Sequence, residues 1–306
     1  MTRYPKPGHT GGKLIREVIQ FLRSQGVALP LTSDILIAVS GGPDSVALAH
    51  LLVHYGRRVG LKKQIRVLHI NHGWRGDESD ADAQFVKGLA KKWNVPITVR
   101  KLRKWDKSDR SWEEVAREER KRIFEKEALK RNAKVLTAHQ ADDLAETLVW
   151  RFFTGAIQSH GAGIRAQVDF ELRPFLRVRK ETLIQYLQEE GISWCSDRTN
   201  FEGRFLRSKM RLLLMPAIES LFPRAVEHLV QFGIETKDRT PHAGEVLGVA
   251  SRVIDKRLSR AHWYILQRKI KRNPMWTGEV QLSDHWKLTR VASKGPTGER
   301  WILEKS

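Results

Sequence analysis

One stretch constrains the fold of this chain more than any other. Ile35-Leu36-Ile37-Ala38-Val39 is a short apolar run, Ser40-Gly41-Gly42-Pro43-Asp44-Ser45 follows it, and Val46-Ala47-Leu48-Ala49-His50-Leu51-Leu52 comes next. A β-branched run, a glycine turn with small hydroxyls and a helical pattern read as strand, loop and helix. The two glycines let the backbone approach a ligand closely. A helix opening at Asp44 or Ser45 would aim its free N–H groups back into the loop. The expectation is an anion site, for phosphate. No Lys-Ser/Thr follows the glycines, so this is no Walker A loop, and the third spaced Gly of a dinucleotide fingerprint is missing. An ordinary strand–helix turn is the alternative, and Asp44-Ser45 in register with correct flanks argues against it.

The rest of the chain repeats the strand–helix alternation. Leu14, Ile15, Val18, Ile19 and Leu22 fall at helical spacing after a loose arm of ten residues, and Gly26 stops that helix. Residues 64–71, 96–102 and 134–138 read as further strands. Residues 77–93 and 111–132 read as helices, the second with Trp112, Ala116, Phe124 and Ala128 on one stripe. After the fourth strand, Leu144, Leu148 and Phe152 sit four apart on another helix. Such alternation implies βαβ crossovers and an α/β fold, a doubly wound, mostly parallel sheet covered on both faces. Its ligand belongs beyond the carboxyl ends of the strands. The glycine-rich stretch 155–163 ends the alternation and reads as a functional loop. A helix is expected over 179–190 after Pro174, and from Phe205 the chain is helical and basic. Pro216 and Pro223 break that pattern, which places a domain boundary there: 1–216 catalytic, 217–306 a smaller, basic C-terminal domain of helix plus β. In that second part 246–258 reads as an amphipathic helix. Val280/Leu282, Trp286/Leu288 and Trp301/Leu303 alternate as in a small hairpin or meander.

Charge and cysteine usage narrow the function. The 306 residues carry a formal charge of +20, which argues for a polyanionic partner, RNA or DNA sooner than a membrane. No apolar run approaches the ~18 residues of a membrane span, and no signal-peptide pattern opens the chain. The single Cys195 excludes a disulfide framework and a cysteine-only metal cluster within one chain. A cytoplasmic, nucleic-acid-associated protein is the expectation.

A second constellation follows the fourth strand: Thr137-Ala138-His139-Gln140-Ala141-Asp142-Asp143-Leu144-Ala145-Glu146-Thr147. Acids at a helix start are favoured by the dipole, and capping needs only one of them. Asp142 and Glu146, four apart, repel one another unless a cation intervenes, and a hard cation such as Mg²⁺ would suit their oxygens. The loop 40–45 resembles the pyrophosphate-binding loop of the N-type ATP pyrophosphatases. With the Thr-Ala-His-x-x-Asp-Asp-x-Ala-Glu-Thr stretch, the chain resembles the bacterial tRNA(Ile)-lysidine synthetases over roughly residues 30–216. His69-Ile70-Asn71-His72-Gly73-Trp74-Arg75, the Glu113/Ala116/Arg117/Arg120 pattern and Arg173-Pro174-Phe175-Leu176 are similar to that family's segments, as are 197–200 and 207–211. The sequence departs from the family pattern at Gln140 (usually His), Lys121, Trp74 and Arg198-Thr199.

The resemblance implies an adenine nucleotide α-hydrolase-like fold, with ATP and Mg²⁺ as cofactors and tRNA(Ile) with a CAU anticodon and free lysine as partners. A homodimer is left open. It implies adenylation of the wobble cytidine at C2 with release of pyrophosphate, then attack by the lysine ε-amine with release of AMP. Carried over residue by residue, Ser40, Gly41, Gly42, Pro43, Asp44, Ser45 and His139 would hold ATP. Asp142, Asp143, Arg117 and Arg207 are the catalytic candidates, either aspartate positioning the amine or taking its proton. Arg75, Glu113, Arg120, Glu146, Asn200 and Arg211 are the substrate-binding candidates. No residue set is assigned to a resident metal. His69, His72 and His139 are expected to hydrogen-bond locally, and Cys195 to be a small packed residue. Arg117 could instead simply pair with Glu113. The basic residues of 256–272, with Trp263 and Tyr264, suit an RNA backbone or a solvated helix face equally. Three rivals remain at this point. A tRNA 2-thiolation enzyme would typically carry paired cysteines. A GMP or NAD synthetase relative would not need the charge. A non-catalytic RNA-binding protein would leave the acids unexplained.

Overall fold

A computed structural model describes residues 6–73, 77–102, 112–156, 163–195, 206–235, 278–283, 286–292 and 299–305. The chain divides into two compact units, Met1–Thr154 with Ala162–Ile234, and Gly155–Gly161 with Glu235–Ser306. The first unit therefore continues beyond Pro216 and Pro223 to Ile234.

In the first unit the β-branched runs form β1 (Asp34–Ala38), β2 (Ile65–Asn71), β3 (Ile97–Lys101) and β4 (Ala133–Leu136). Two strands of two residues each, β5 (Gln167–Val168) and β6 (Glu171–Leu172), complete a six-stranded sheet of order β3-β2-β1-β4-β6-β5. All neighbours are parallel except β5 and β6. The crossover helices are α1 (His9–Ser24), α2 (Pro43–Val59), α3 (Asp77–Lys92), α4 (Trp112–Arg131) and α5 (Ala141–Phe153). Then come α6 (Lys180–Glu189), α7 (Leu206–Lys209), a π-helical stretch (Met210–Leu214), α8 (Met215–Leu221) and α9 (Ala225–Glu235). α1 begins at His9, inside the arm expected to be loose; its Thr10 hydroxyl donates to Glu189 Oε1 on α6 at 2.6 Å and ties that end down.

Side-chain alternation assigns the two faces of the sheet. Ile35, Ile37, Val67, Leu136 and Leu172 pack with α1, α2, α3 and α6. Leu36, Leu68, Ile70 and Val135 pack with Phe124 and Ala128 of α4. A third cluster joins Leu144, Ala145 and Leu148 of α5 to Phe21, Leu176, Met210, Met215, Val226 and Val230. α5 thus buries Leu144 and Leu148, while Phe152, expected on the same stripe, is 66% exposed in its last turn. In the second unit β7 (Gly278–Ser283), β8 (Trp286–Ala292) and β9 (Glu299–Lys305) form an antiparallel sheet of order β7-β8-β9, a meander as the alternation predicts. The amphipathic segment 246–258 and the basic stretch 256–272 lie outside the described residues.

Candidate active site at the strand ends

β1 lies between β2 and β4, so the loop 40–45 emerges beside the turn that follows β4. α2 opens directly from this loop, with Gly42 as N-cap and Pro43 in its first turn, where a missing N–H costs nothing. The Ser45 hydroxyl donates to the Gly42 carbonyl at 2.9 Å and accepts from the Ser40 N–H at 3.1 Å, closing the loop on itself. Gly41 has φ of 108°, a left-handed conformation that glycine adopts without strain. A Cβ there would also stand 3.3 Å from Cys195 Sγ, and the Cys195 N–H donates to the Gly41 carbonyl at 2.9 Å. Burial, with Asp82 beside it, pushes the Cys195 thiol up to about 12, so the thiol is a packing group.

Asp44 is the unbalanced member of the loop. Its Oδ1 is buried with no hydrogen-bond partner. Burial raises its carboxyl from 3.8 to about 6; Asp143 and Asp142 push the same way, against Lys180 and Arg211. An ionised carboxylate here is short of a cation.

The β4 turn supplies the neighbours. Gln140, 2% exposed, is the N-cap of α5: its side chain accepts from the Asp142 N–H at 2.5 Å, while Asp143 Oδ2 accepts from the Gln140 N–H at 3.1 Å. This is a capping box written with Gln and Asp. It gives Gln140, which stands where the resemblance would put His, a structural place. Asp142 reaches across to α6, accepting from the Lys180 N–H at 2.8 Å and from Arg179 Nε at 3.1 Å. Capping was expected to use one aspartate, and it engages both, because two helices start within reach of the same turn. Sequence reasoning missed Arg179 and Lys180, since the contact joins residues 37 and 38 positions apart.

The repulsion between Asp142 and Glu146 is relieved by arginine. Glu146, 4% exposed, receives Arg211 Nε and Nη2, both at 2.7 Å, and Arg211 Nη2 lies 3.4 Å from Asp143 Oδ1. Those bonds to Glu146 raise the guanidinium further above its already high value. Arg211 sits in the π-helical stretch, a local widening of the helix that recurs at functional positions. Burial raises the Asp143 carboxyl too, against the bond from Gln140 and the charge of Arg211.

A third group lines the opposite face. Thr137 Oγ1 donates to Glu171 Oε1 at 2.8 Å and lies 3.1 Å from His139 Nδ1. Arg173 Nη2 pairs with Glu171 Oε2 at 2.6 Å, and Arg117 and Arg120 of α4 stand close enough to act on it or on one another. His69, on β2, places Nδ1 2.8 Å from the Val39 carbonyl at the base of the loop. Among the described residues no three His, Cys, Asp or Glu side chains are grouped to hold a metal. Arg75 and Asn200 lie outside the described residues, as do the side chains of Glu113 and Arg207.

A glycine loop at the end of β1, acids on the adjoining helix start and a mostly parallel sheet of this order define an α/β domain with its candidate site at the strand ends. Residues 13–218 match the PP-loop domain family, and the chain belongs to that family. It is similar to the tRNA(Ile)-lysidine synthase of Bacteroides thetaiotaomicron, 32% identical over 80% of this chain and 55% of that protein. It is also similar to that of Thermus thermophilus, 36% identical over 69% of this chain and 40% of that protein. The chain spans about half the length of the curated relatives it matches. The fold is similar to that of the U34-tRNA thiolase from Methanococcus maripaludis, with a TM-score of 0.56 at 14% identity, covering 73% of this chain and 78% of the other. At that identity the likeness is one of fold.

Proposed function

We propose that this chain ligates lysine to C2 of the wobble cytidine of tRNA(Ile) bearing CAU, through an adenylated tRNA and with release of pyrophosphate and AMP. The observation that carries the reading is Asp44 at the loop: its Oδ1 is buried without a hydrogen-bond partner, and its carboxyl feels the charges of Asp143 on α5 and Arg211 in the π-helical stretch. The names of the relatives at 32–36% identity support the choice of lysine and tRNA(Ile).

The orphaned Asp44 oxygen and the raised Asp143 carboxyl fit a hard divalent cation such as Mg²⁺, which needs one or two carboxylates besides phosphate oxygens. When bound with ATP, that ion would neutralise charge developing on the leaving pyrophosphate. The protein's own share is to present the N–H groups at the start of α2 to the phosphates and to keep the loop rigid through Ser40 and Ser45. In the second step a carboxylate holds the lysine ε-amine and takes its proton. Asp142 and Asp143 are the two candidates: both Asp142 oxygens serve the start of α6, and Asp143 is held by the Gln140 N–H on one oxygen and faces Arg211 at 3.4 Å on the other. Arg75 and the basic part of 217–306 are assigned to tRNA on charge, Arg207 stays a catalytic candidate, and Asn200, a neutral amide, a substrate-binding one.

The test incubates the chain with ATP, labelled lysine and transcripts of tRNA(Ile) carrying CAU or a changed wobble base. Label is expected in the CAU transcript alone. An active preparation that labels neither transcript sinks the reading.

A further inference from the structure

The two edges of the main sheet carry opposite charge. Parallel strands joined by crossover helices bring α2, α3 and α4 back to one edge, so their C-termini gather where the strands begin. The registers Asp34 with Ala133, Ile35 with Ile65 and Val67 with Ile97 align those beginnings. Three stretches where helix gives way to strand, 57–66, 91–96 and 130–134, hold ten Lys and Arg and no Asp or Glu. They enter β2, β3 and β4, within four neighbouring strands that span roughly 15 Å at ordinary spacing. Asp34 and Asp169 also sit at strand beginnings, too few to balance them. The candidate site at the other edge carries Asp44, Asp142, Asp143 and Glu146 instead. The seven residues of β2 separate the two edges by roughly 20 Å.

Ordinary helix chemistry does not use up this charge. One cation in a last turn complements the helix dipole. α2, α3 and α4 each end in two, Arg57-Arg58, Lys91-Lys92 and Lys130-Arg131, and the turn into β2 adds Lys62 and Lys63. Arg131 is held by Glu127, and Lys134 Nζ donates to the Asp169 carbonyl at 2.9 Å. Lys62, Lys63, Lys91, Lys92 and Lys130 are exposed, and none has an ion pair among the described residues. Like charges gathered on one edge repel one another, and a bound polyanion relieves that repulsion. The same stretches present no exposed aromatic ring, since Trp93 is 9% exposed. Single-stranded RNA is gripped by stacking its bases on such rings. Point charges without rings suit the phosphates of a duplex, which is recognised by backbone and shape.

We propose that the edge where the strands begin is a docking face for duplex RNA, held through its phosphates by Lys62, Lys63, Lys91, Lys92 and Lys130 without reading its sequence. The sheet stands between this face and the loop 40–45, so the duplex docked here brings no base to the candidate site. The face stands whatever reaction that site performs.

Fluorescence anisotropy of a labelled, blunt RNA duplex of about 16 base pairs, the span of a duplex-binding module, tests this on the full chain. Two duplexes of unrelated sequence should bind within about twofold of each other, and saturating ATP with Mg²⁺ should displace neither. The combined variant Lys62→Gln, Lys63→Gln, Lys91→Gln and Lys92→Gln should bind at least about tenfold more weakly at about 0.1 M salt. Its slope of log affinity against log salt should be shallower by about one for each lysine that meets a phosphate. Its urea midpoint should be no lower than that of the unmodified chain, because repulsion has been removed. Should the midpoint fall, the pair Arg58→Gln and Lys130→Gln reads the same face, with an expected loss of at least about threefold. No duplex binding, or an affinity and slope that the variants leave unchanged, overturns the face. Displacement by ATP places the duplex at the candidate site and overturns it as well. Equal displacement by single-stranded RNA of the same length overturns the choice of a duplex. Tighter binding to vesicles of anionic phospholipid, lost in the variant, overturns it in favour of a membrane surface.

Discussion

Asp44 and His50 stand six residues apart on α2, and each has a polar atom withdrawn from water. His50, 5% exposed, has its Nδ1 2.7 Å from the hydroxyl of the fully buried Tyr186, with Trp93 edge-on at 5.5 Å. Burial lowers its pKa to about 4, and a neutral imidazole can accept the phenol proton. Asp44 is half-buried as a residue, but its Oδ1 has lost water and no protein group replaces it there. The middle of the helix completes itself and docks α6. Its first turn is left incomplete, and the deficit lies where a nucleotide and its cation would sit.

The largest expected effect comes from removing the incomplete charge. Asp44→Asn should slow pyrophosphate release by about 10²–10³-fold, the scale of losing one preorganised electrostatic contact. The same change should stabilise the ligand-free chain at pH 8 by roughly 2 kcal/mol, since an acid with a raised folded pKa is penalised once ionised. Urea unfolding reads this, and an unchanged midpoint would place Asp44 on a par with His50. Glu146→Gln comes next. It strips Arg211 of its bidentate partner and should cost roughly 1–3 kcal/mol, below the fully buried range because the Arg211 side chain keeps 38% of its exposure. Tyr186→Phe should cost about 1 kcal/mol, one neutral hydrogen bond.

The two groups also titrate against each other. For Asp44 the ligand-free stability is highest below pH 3.8 and falls as pH rises through about 6. For His50 the sign reverses: its contribution is full above 6.5 and is lost as pH falls towards about 4. In Asp44→Asn the Asp44 limb should vanish while those of His50 and Asp143 stay, so the variant's stability should gain on that of the unmodified chain as pH rises from 3.8 through about 6. The smallest effect belongs to Cys195, whose alkylation by iodoacetamide at pH 8 should run at least about tenfold slower than that of free cysteine.

Local chemistry was legible in the sequence and distant pairing was not. The run 35–52 gives strand, loop and helix because β-branched residues, paired glycines and a helical apolar pattern each act within a few residues. β5 and β6 escape notice because two-residue strands leave no periodicity, and Pro174 closes the second of them at once. Gln140-x-x-Asp143 has capping-box spacing in unusual residues, which the family comparison turned into a missing His. Arg179 on Asp142 and Arg211 on Glu146 bridge 37 and 65 positions, and no local pattern announces such a contact. Arg173 belongs to the Arg173-Pro174-Phe175-Leu176 segment, but its ion pair with Glu171 rests on β6, a strand too short to leave a periodicity.

On the proposed function Asp44 is left for a ligand to complete, and the titration of its carboxyl measures that directly. Followed by carbon NMR on the full chain, the Asp44 carboxyl should titrate near 6 in the ligand-free protein and fall below 3.8 with ATP and Mg²⁺ bound. A carboxyl that titrates near 3.8 in the free chain and does not move when nucleotide and cation are added would contradict it.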